Sequence, residues 1–298
     1  MHPSMSQIHD ILFDETSCKT FLLNNNVFFY SGLQCPSCGS DTERSIERWS
    51  FGCRKKTCSK EVSISKDTFF ENCRLKVKML TKMHSIMLLA YFWINEVHWS
   101  AAVHMTGFAK QTVSRFYYLF RRLAASALSE IDTIIGGEGV IVEIDETKLG
   151  RRKYNRGHRV DGVWVIVGIE RSPQRRVFMV AVKDRSAETI REIIRTHVAP
   201  GSIVHTDGWR GYVGIDTACS IVHRTINHSE GFIDIETGVH TNTVEGTNFA
   251  VKRRIPVRSR VRDGIEDHSS EFIWRRQNEG CIWESFVRAM REIVSEND

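Results

Sequence analysis

The spacing of apolar residues changes character twice along the chain. Up to about Phe70 apolar positions are interrupted by cysteines, and from about Leu75 to Ser129 they recur at helical spacing. Beyond Gly136, Gly137 and Gly139, short apolar runs alternate with amphipathic stretches. The middle region predicts a long helix over Val77 to Ile94. A short helix from Ser100, a turn at Gly107 and a second helix through Lys110, Gln111 and Arg115 should follow. In the last region, Val140 to Asp145, Val163 to Ile169 and Val177 to Val182 read as three strands of a meander. A helix capped by Ser186 follows, with Ile190, Ile193, Ile194 and Val198 on its apolar face. Then come a strand at Ile203 to Asp207, a strand at Ser220 to Ile226, and a helix from about Thr241 to Arg253.

Three antiparallel strands followed by helix, strand, helix-turn and strand is the ribonuclease H-like order. The expected fold class is therefore α/β (α+β): a ribonuclease H-like core over residues 136–298 with a carboxy-terminal helical tail. A zinc ribbon over 1–72 and a helix-turn-helix-like domain over 73–135 should precede it. The tail, patterned around Phe272, Ile273 and Trp274, is expected to pack back on the core.

Composition narrows the class. With 298 residues, 41% hydrophobic and 26% charged, the chain can bury a sizeable core. The apolar run from Ile86 to Ile94 is far below the roughly 20 residues that cross a bilayer. No secretory h-region is seen at the amino terminus, so a soluble, unsecreted protein is expected. Four of the eight cysteines, Cys35, Cys38, Cys53 and Cys58, form a CxxC…CxxxxC arrangement that suits one structural Zn²⁺ between two knuckles, joined through Arg48-Trp49-Ser50-Phe51.

The net charge of +5 is modest, but the basic residues are grouped. Arg151, Arg152, Lys153, Tyr154 and Arg156 form one run, and Lys252, Arg253 and Arg254 another. Both contain almost no acids and suit phosphate contact, with Tyr154 offering a stacking face. Asp145 and Asp207 each end an apolar strand, where an acid has no packing role, and the expected topology sets those ends side by side. Glu245 joins them from the following helix. Three such carboxylates can hold two Mg²⁺ (or Mn²⁺) ions for phosphodiester chemistry. Glu143 shares the facing of Asp145 and is the closest decoy, whereas Glu146 should face the other side of the sheet.

The strings Ile144-Asp145-Glu146-Thr147-Lys148, Gly150 to Gly157, Thr206-Asp207-Gly208-Trp209 with Tyr212, and His240 to Gly246, with Phe272 to Arg276, resemble those of Merlin-superfamily DDE transposases and their bacterial insertion-sequence relatives. The resemblance implies that Asp145, Asp207 and Glu245 are the catalytic triad and that Lys252, two helical turns after Glu245, faces the same cleft. Related groups carry an asparagine at the third position, which makes Asn242 the alternative to Glu245. The implied protein is a cut-and-paste transposase that binds terminal inverted repeats and target DNA as a homodimer or higher oligomer. It would work in the nucleus of a eukaryotic host, or otherwise in the cytoplasm and nucleoid. Two other readings share these residues: a domesticated, non-catalytic DNA-binding protein and a structure-selective nuclease with the same core.

Overall fold

The computed structural model describes residues 2–28, 34–45, 48–72, 82–150, 162–227, 233–234, 237–260 and 262–292. Two compact units result: 1–127 with 280–298, and 128–279. Among the described residues, no helix is long and apolar enough to cross a membrane.

The first unit opens with α1 (His9–Phe13) and α2 (Glu15–Asn24), joined at Asp14, whose carboxylate accepts the Ser17 N–H at 2.6 Å and caps α2. Three short antiparallel strands follow, β1 (Thr42–Ser45), β2 (Ser50–Cys53) and β3 (Glu61–Ser63), carrying the four-cysteine segment. After α3 (Phe69–Asn72) come α4 (Met83–Ile94), α5 (Trp99–Thr106) and α6 (Lys110–Ser126). The expected start of the long helix at Val77 lies outside the described residues. Gly107 ends α5 at φ 70, a left-handed conformation natural to glycine, so the turn before α6 follows directly from the sequence.

The second unit is built on a five-stranded sheet ordered β10-β9-β5-β6-β7. Its first part is β4 (Ile135–Gly136), β5 (Ile141–Leu149), β6 (Val163–Glu170) and β7 (Val177–Val182), followed by α7 (Ala187–His197) and the short β8 (Val198–Ala199). Then come β9 (Ile203–Asp207), α8 (Ile215–Cys219), β10 (Val222–Ile226), α9 (Asn242–Arg254) and α10 (Arg262–Gln277). Strands β5, β6 and β7 are antiparallel neighbours, while β9 runs parallel to both β5 and β10. This order is compatible with a ribonuclease H-like core. Side-chain alternation divides the sheet. Val142, Ile144, Ile166, Phe178 and Val204 pack with Ile190, Ile193 and Ile194 of α7 on one face. Val165, Val167, Ile169 and Val177 pack with Val244 and Val251 of α9 and with Phe272 and Ile273 of α10 on the other.

The last helix, α11 (Ile282–Glu292), groups with the amino-terminal helices rather than with the core it was expected to join. Its stripe of Trp283, Phe286, Val287 and Met290 finds aromatic partners there, with Phe286 ring centroids 5.4 Å from Phe120 and 5.8 Å from Trp93. Phe272, Ile273 and Trp274 are buried as expected, but on α10.

Two glycines separate close approach from helix propensity. A Cβ on Gly168 of β6 would stand 2.1 Å from the Phe178 ring, whereas one on Gly246 of α9 meets nothing within 4 Å. Gly168→Ala should therefore destabilise by about 1–3 kcal/mol through overpacking, and Gly246→Ala should stabilise by about 0.5–1 kcal/mol. Chemical denaturation of the two variants checks the opposite signs.

Candidate active site

Register brings the two aspartates together, although only Asp207 ends its strand: β5 runs four residues past Asp145 to Leu149, because Glu146 to Leu149 go on pairing with Ile166 to Val163 of β6. Glu143 of β5 lies opposite His205 of parallel β9, and two residues further along both strands the same face carries Asp145 and Asp207. Neither aspartate is loosely held. Asp145 Oδ1 accepts the Glu146 N–H at 2.8 Å and its Oδ2 accepts Asn248 Nδ2 at 2.8 Å, while Asp207 Oδ1 accepts the Trp209 N–H at 3.0 Å. Burial pushes the Asp145 carboxyl above its ordinary range. The charges of Asp207 and Glu245 push the same way, while the Glu146 and Asn248 hydrogen bonds oppose them.

Helix α9 delivers the third carboxylate, and a buried acid fixes that helix. Val244, Thr247, Asn248 and Val251 form its buried stripe, leaving Asn242, Glu245 and Lys252 exposed. Thr241 Oγ1 donates to Glu245 Oε1 at 3.2 Å. Thr241 supplies no side-chain cap to the helix. Instead Glu143, fully buried on β5, accepts the Thr243 and Val244 N–H groups at 2.8 and 3.0 Å through Oε2. Its Oε1 accepts Arg171 Nε, and Arg171 Nη2 in turn donates to the His240 carbonyl at 2.7 Å and meets His205 Nδ1 at 3.3 Å. Burial, then the Arg171 charge, lower the His205 pKa to about 4, so this imidazole stays neutral beside the guanidinium. Glu143 is thus the cap that ties α9 to the strand of Asp145.

Glu146 belongs to the opposite face, as strand alternation requires, yet it contributes to the same acidic field. Burial, followed by the Asp207 and Asp145 charges, pushes it up to about 7. Burial first, and then the Glu146, Asp145 and Asp207 charges, raise the Tyr212 pKa well above its ordinary value. Asn248 is the residue that sequence pattern missed. Its only legible signal was its position, three residues after Glu245 on one helix face. It is buried, with Oδ1 unpartnered beside the Asp145 carboxylate, an available oxygen for a hard cation.

The cysteine site is more compact. The four sulfurs of Cys35, Cys38, Cys53 and Cys58 lie within 4.8 Å of one another, with Cys35–Cys58 at 3.7 Å and Cys38–Cys53 at 3.5 Å. A tetrahedron with metal–sulfur bonds near 2.3 Å has edges of about 3.8 Å, so four thiolates here fit one ion. Hydrogen bonds from Ser40 draw Cys38 down to about 6, while Cys53 rises to about 12 through burial and its neighbouring thiols. Among the described residues, Asp145, Asp207 and Glu245 do not make a cluster as compact as that of the cysteines. Of the expected DNA-contacting residues, Lys110, Gln111 and Arg115 are exposed along α6, with Lys110 Nζ 5.0 Å from the Trp99 ring centre. Arg253 is exposed and Arg254 half-buried at the end of α9. Arg151, Arg152, Lys153, Tyr154 and Arg156 lie outside the described residues.

The acidic field has a pH signature. Because Glu146 titrates near 7 when folded and near its ordinary 4.5 when unfolded, the folded chain holds more protons between those values. Stability from this group is therefore greatest below 4.5 and is lost as pH rises through 7. Glu146→Gln should melt with wild type near pH 5 and above it near pH 8. In differential scanning fluorimetry, a gap that does not widen with pH would contradict the field.

Residues 134–276, 143 of the 298, match the family model described as the ISXO2-like transposase domain. No curated protein matches. Among solved structures, the chain is similar to one in the cryoEM structure of a simian T-cell lymphotropic virus intasome in complex with PP2A regulatory subunit B56 gamma. The two are 11% identical with a TM-score of 0.27, over 68% of this chain and 64% of that one, a likeness too slight to carry an argument. The domain match covers just under half of the chain and supports a DDE transposase domain in residues 134–276.

Proposed function

We propose that the chain is a DNA transposase of cut-and-paste type, of the Merlin superfamily, with Asp145, Asp207 and Glu245 as its catalytic carboxylates. The observation that carries this reading is the meeting of Asp145 and Asp207 on adjacent parallel strands inside the transposase-matched segment, with Glu245 brought in on a helix capped by Glu143. These acids would hold two Mg²⁺ or Mn²⁺ ions, which when bound would supply activation of the attacking hydroxyl and stabilisation of the leaving oxygen.

The chain's own residues supply position. Asn248 and the Glu146 N–H orient Asp145, the Trp209 N–H orients Asp207, and Thr241 steadies Glu245. With the acids fixed, water in the first step and a DNA 3′-hydroxyl in the second can be lined up with the scissile phosphate at little entropic cost. Lys252, exposed on the Glu245 face of α9, meets a flanking phosphate. The four cysteines hold a structural Zn²⁺, and α5 and α6 present Lys110, Gln111 and Arg115 to the terminal inverted repeat. Two DNA ends must be paired, so a homodimer or higher oligomer is the working form, in the nucleus or nucleoid where the DNA lies.

Asp145→Asn and Asp207→Asn should each lower Mg²⁺-dependent cleavage of terminal-repeat DNA by about three orders of magnitude while duplex binding persists. Full cleavage by either would end the assignment. Glu245→Gln should fail in the same assay and Asn242→Ala should retain activity; the reverse pattern makes Asn242 the third ligand. For the ribbon, metal analysis of the Cys35→Ser/Cys38→Ser chain should find bound Zn²⁺ gone, and an unchanged zinc content would refute it.

A further inference from the structure

At the edge of the sheet where β5 and β9 end, two cations are held by indole rings rather than by acids. Arg185, between β7 and α7, has its guanidinium carbon 3.8 Å from the Trp164 ring centre and 4.7 Å from that of Trp209. Lys148 Nζ lies 5.4 Å from the same Trp164 ring, and Lys148 and Trp164 are directly paired across β5 and β6. Trp209 sits two residues beyond Asp207 and binds that aspartate through its N–H. All four side chains are half-buried.

The cations keep their hydrogen-bonding capacity in hand. Among the described residues, neither Arg185 nor Lys148 forms a hydrogen bond or salt bridge, although the Glu146 carboxylate lies close enough to Arg185 to feel its charge. Indoles on a guanidinium leave its N–H edge as the open approach. That edge is the fork which matches two oxygens of one phosphate. A cation stacked on tryptophan has also lost much of its rotamer freedom, so less entropy remains to be lost on binding an anion. A cluster of carboxylates repels a polyanion, and fixed positive charge beside it offsets that repulsion.

We propose that Arg185 and Lys148, clamped by Trp164 and Trp209, form a binding site for a backbone phosphate of the DNA strand entering the acidic cleft. The site lies on the α7 side of the sheet, across from Glu245 and Lys252 on α9, so the strand is gripped from both sides of the acids. This proposal rests on the DNA-transposase reading, and the test separates the two.

The full-length chain is titrated with a fluorescein-labelled duplex of arbitrary sequence in buffer without added Mg²⁺ or Mn²⁺, over a series of salt concentrations. Arg185→Gln should weaken binding about tenfold and lower the slope of log Kd against log salt by about one, the loss of one phosphate contact. Arg185→Lys should keep the slope and lose affinity, because an ammonium keeps the charge without the fork. Arg195→Gln, on exposed α7 roughly 12 Å further from this edge, should bind as wild type does. If wild type binds and Arg185→Gln matches it in affinity and slope, the clamp is overturned while the transposase reading stands. A lower melting temperature without a change in slope would make the stack a structural clip and also overturn the clamp. If wild type binds no duplex, both readings fall.

Discussion

The arrangement of the acidic cleft depends on one buried carboxylate. Glu143 has no solvent exposure, and its oxygens are taken by the first free N–H groups of α9 and by Arg171. Removing one partner from a buried pair typically costs about 3–5 kcal/mol, because the remaining charge is stranded. A hydrophobic replacement of the pair would often be as stable, so stability alone is a weak reason for it. Its geometric effect is specific. The bond runs from the strand that bears Asp145 to the helix that bears Glu245, and it fixes their relative height and rotation. Arg171 extends the tie to the His240 carbonyl, anchoring the segment that leads into the helix.

From that tie the other features follow. Because α9 is held at its amino terminus and packed through Val244 and Val251, Asn248 comes to Asp145 and Lys252 emerges one turn later on the exposed side. Lys252, Arg253 and Arg254 also complement the carboxyl end of the helix dipole. On the other face, Glu146, Tyr212 and the tryptophan-clamped cations form a second rim around the same strand ends. Burial first, and the neighbouring carboxylates after it, push the Asp145 and Glu146 carboxyls above their ordinary range. Such a site is incomplete until positive charge enters it.

Much of this was legible in the chain. Val/Ile runs gave β6, β7 and β9 nearly to the residue, whereas β5 continues through the polar Glu146, Thr147 and Lys148 to Leu149, and Ser186 caps α7 as its position suggested, accepting the Thr189 N–H at 3.3 Å. Paired cysteines come together because knuckle spacing is a local property. Other features were not legible, for physical reasons. Strand alternation put Glu143 on the face of Asp145, but a cap supplied across roughly a hundred residues leaves no periodic mark, so it read as a decoy. Asn248 looked like any polar residue on a helix. The amino-terminal helices α1 and α2 are too short, at 5 and 10 residues, to show a helical period, and α11 has an apolar stripe that says what it needs but not which core supplies it.

If Asp145, Asp207 and Glu245 form a cradle for divalent cations, the ions should be found between them. Crystals grown with Mn²⁺ and measured at its absorption edge test it most directly. One anomalous peak is expected against Asp145 and Asp207 and a second on the side of Glu245. Anomalous signal confined to other parts of the molecule, with Asp145 still bound only by Asn248 and the Glu146 N–H, would contradict it.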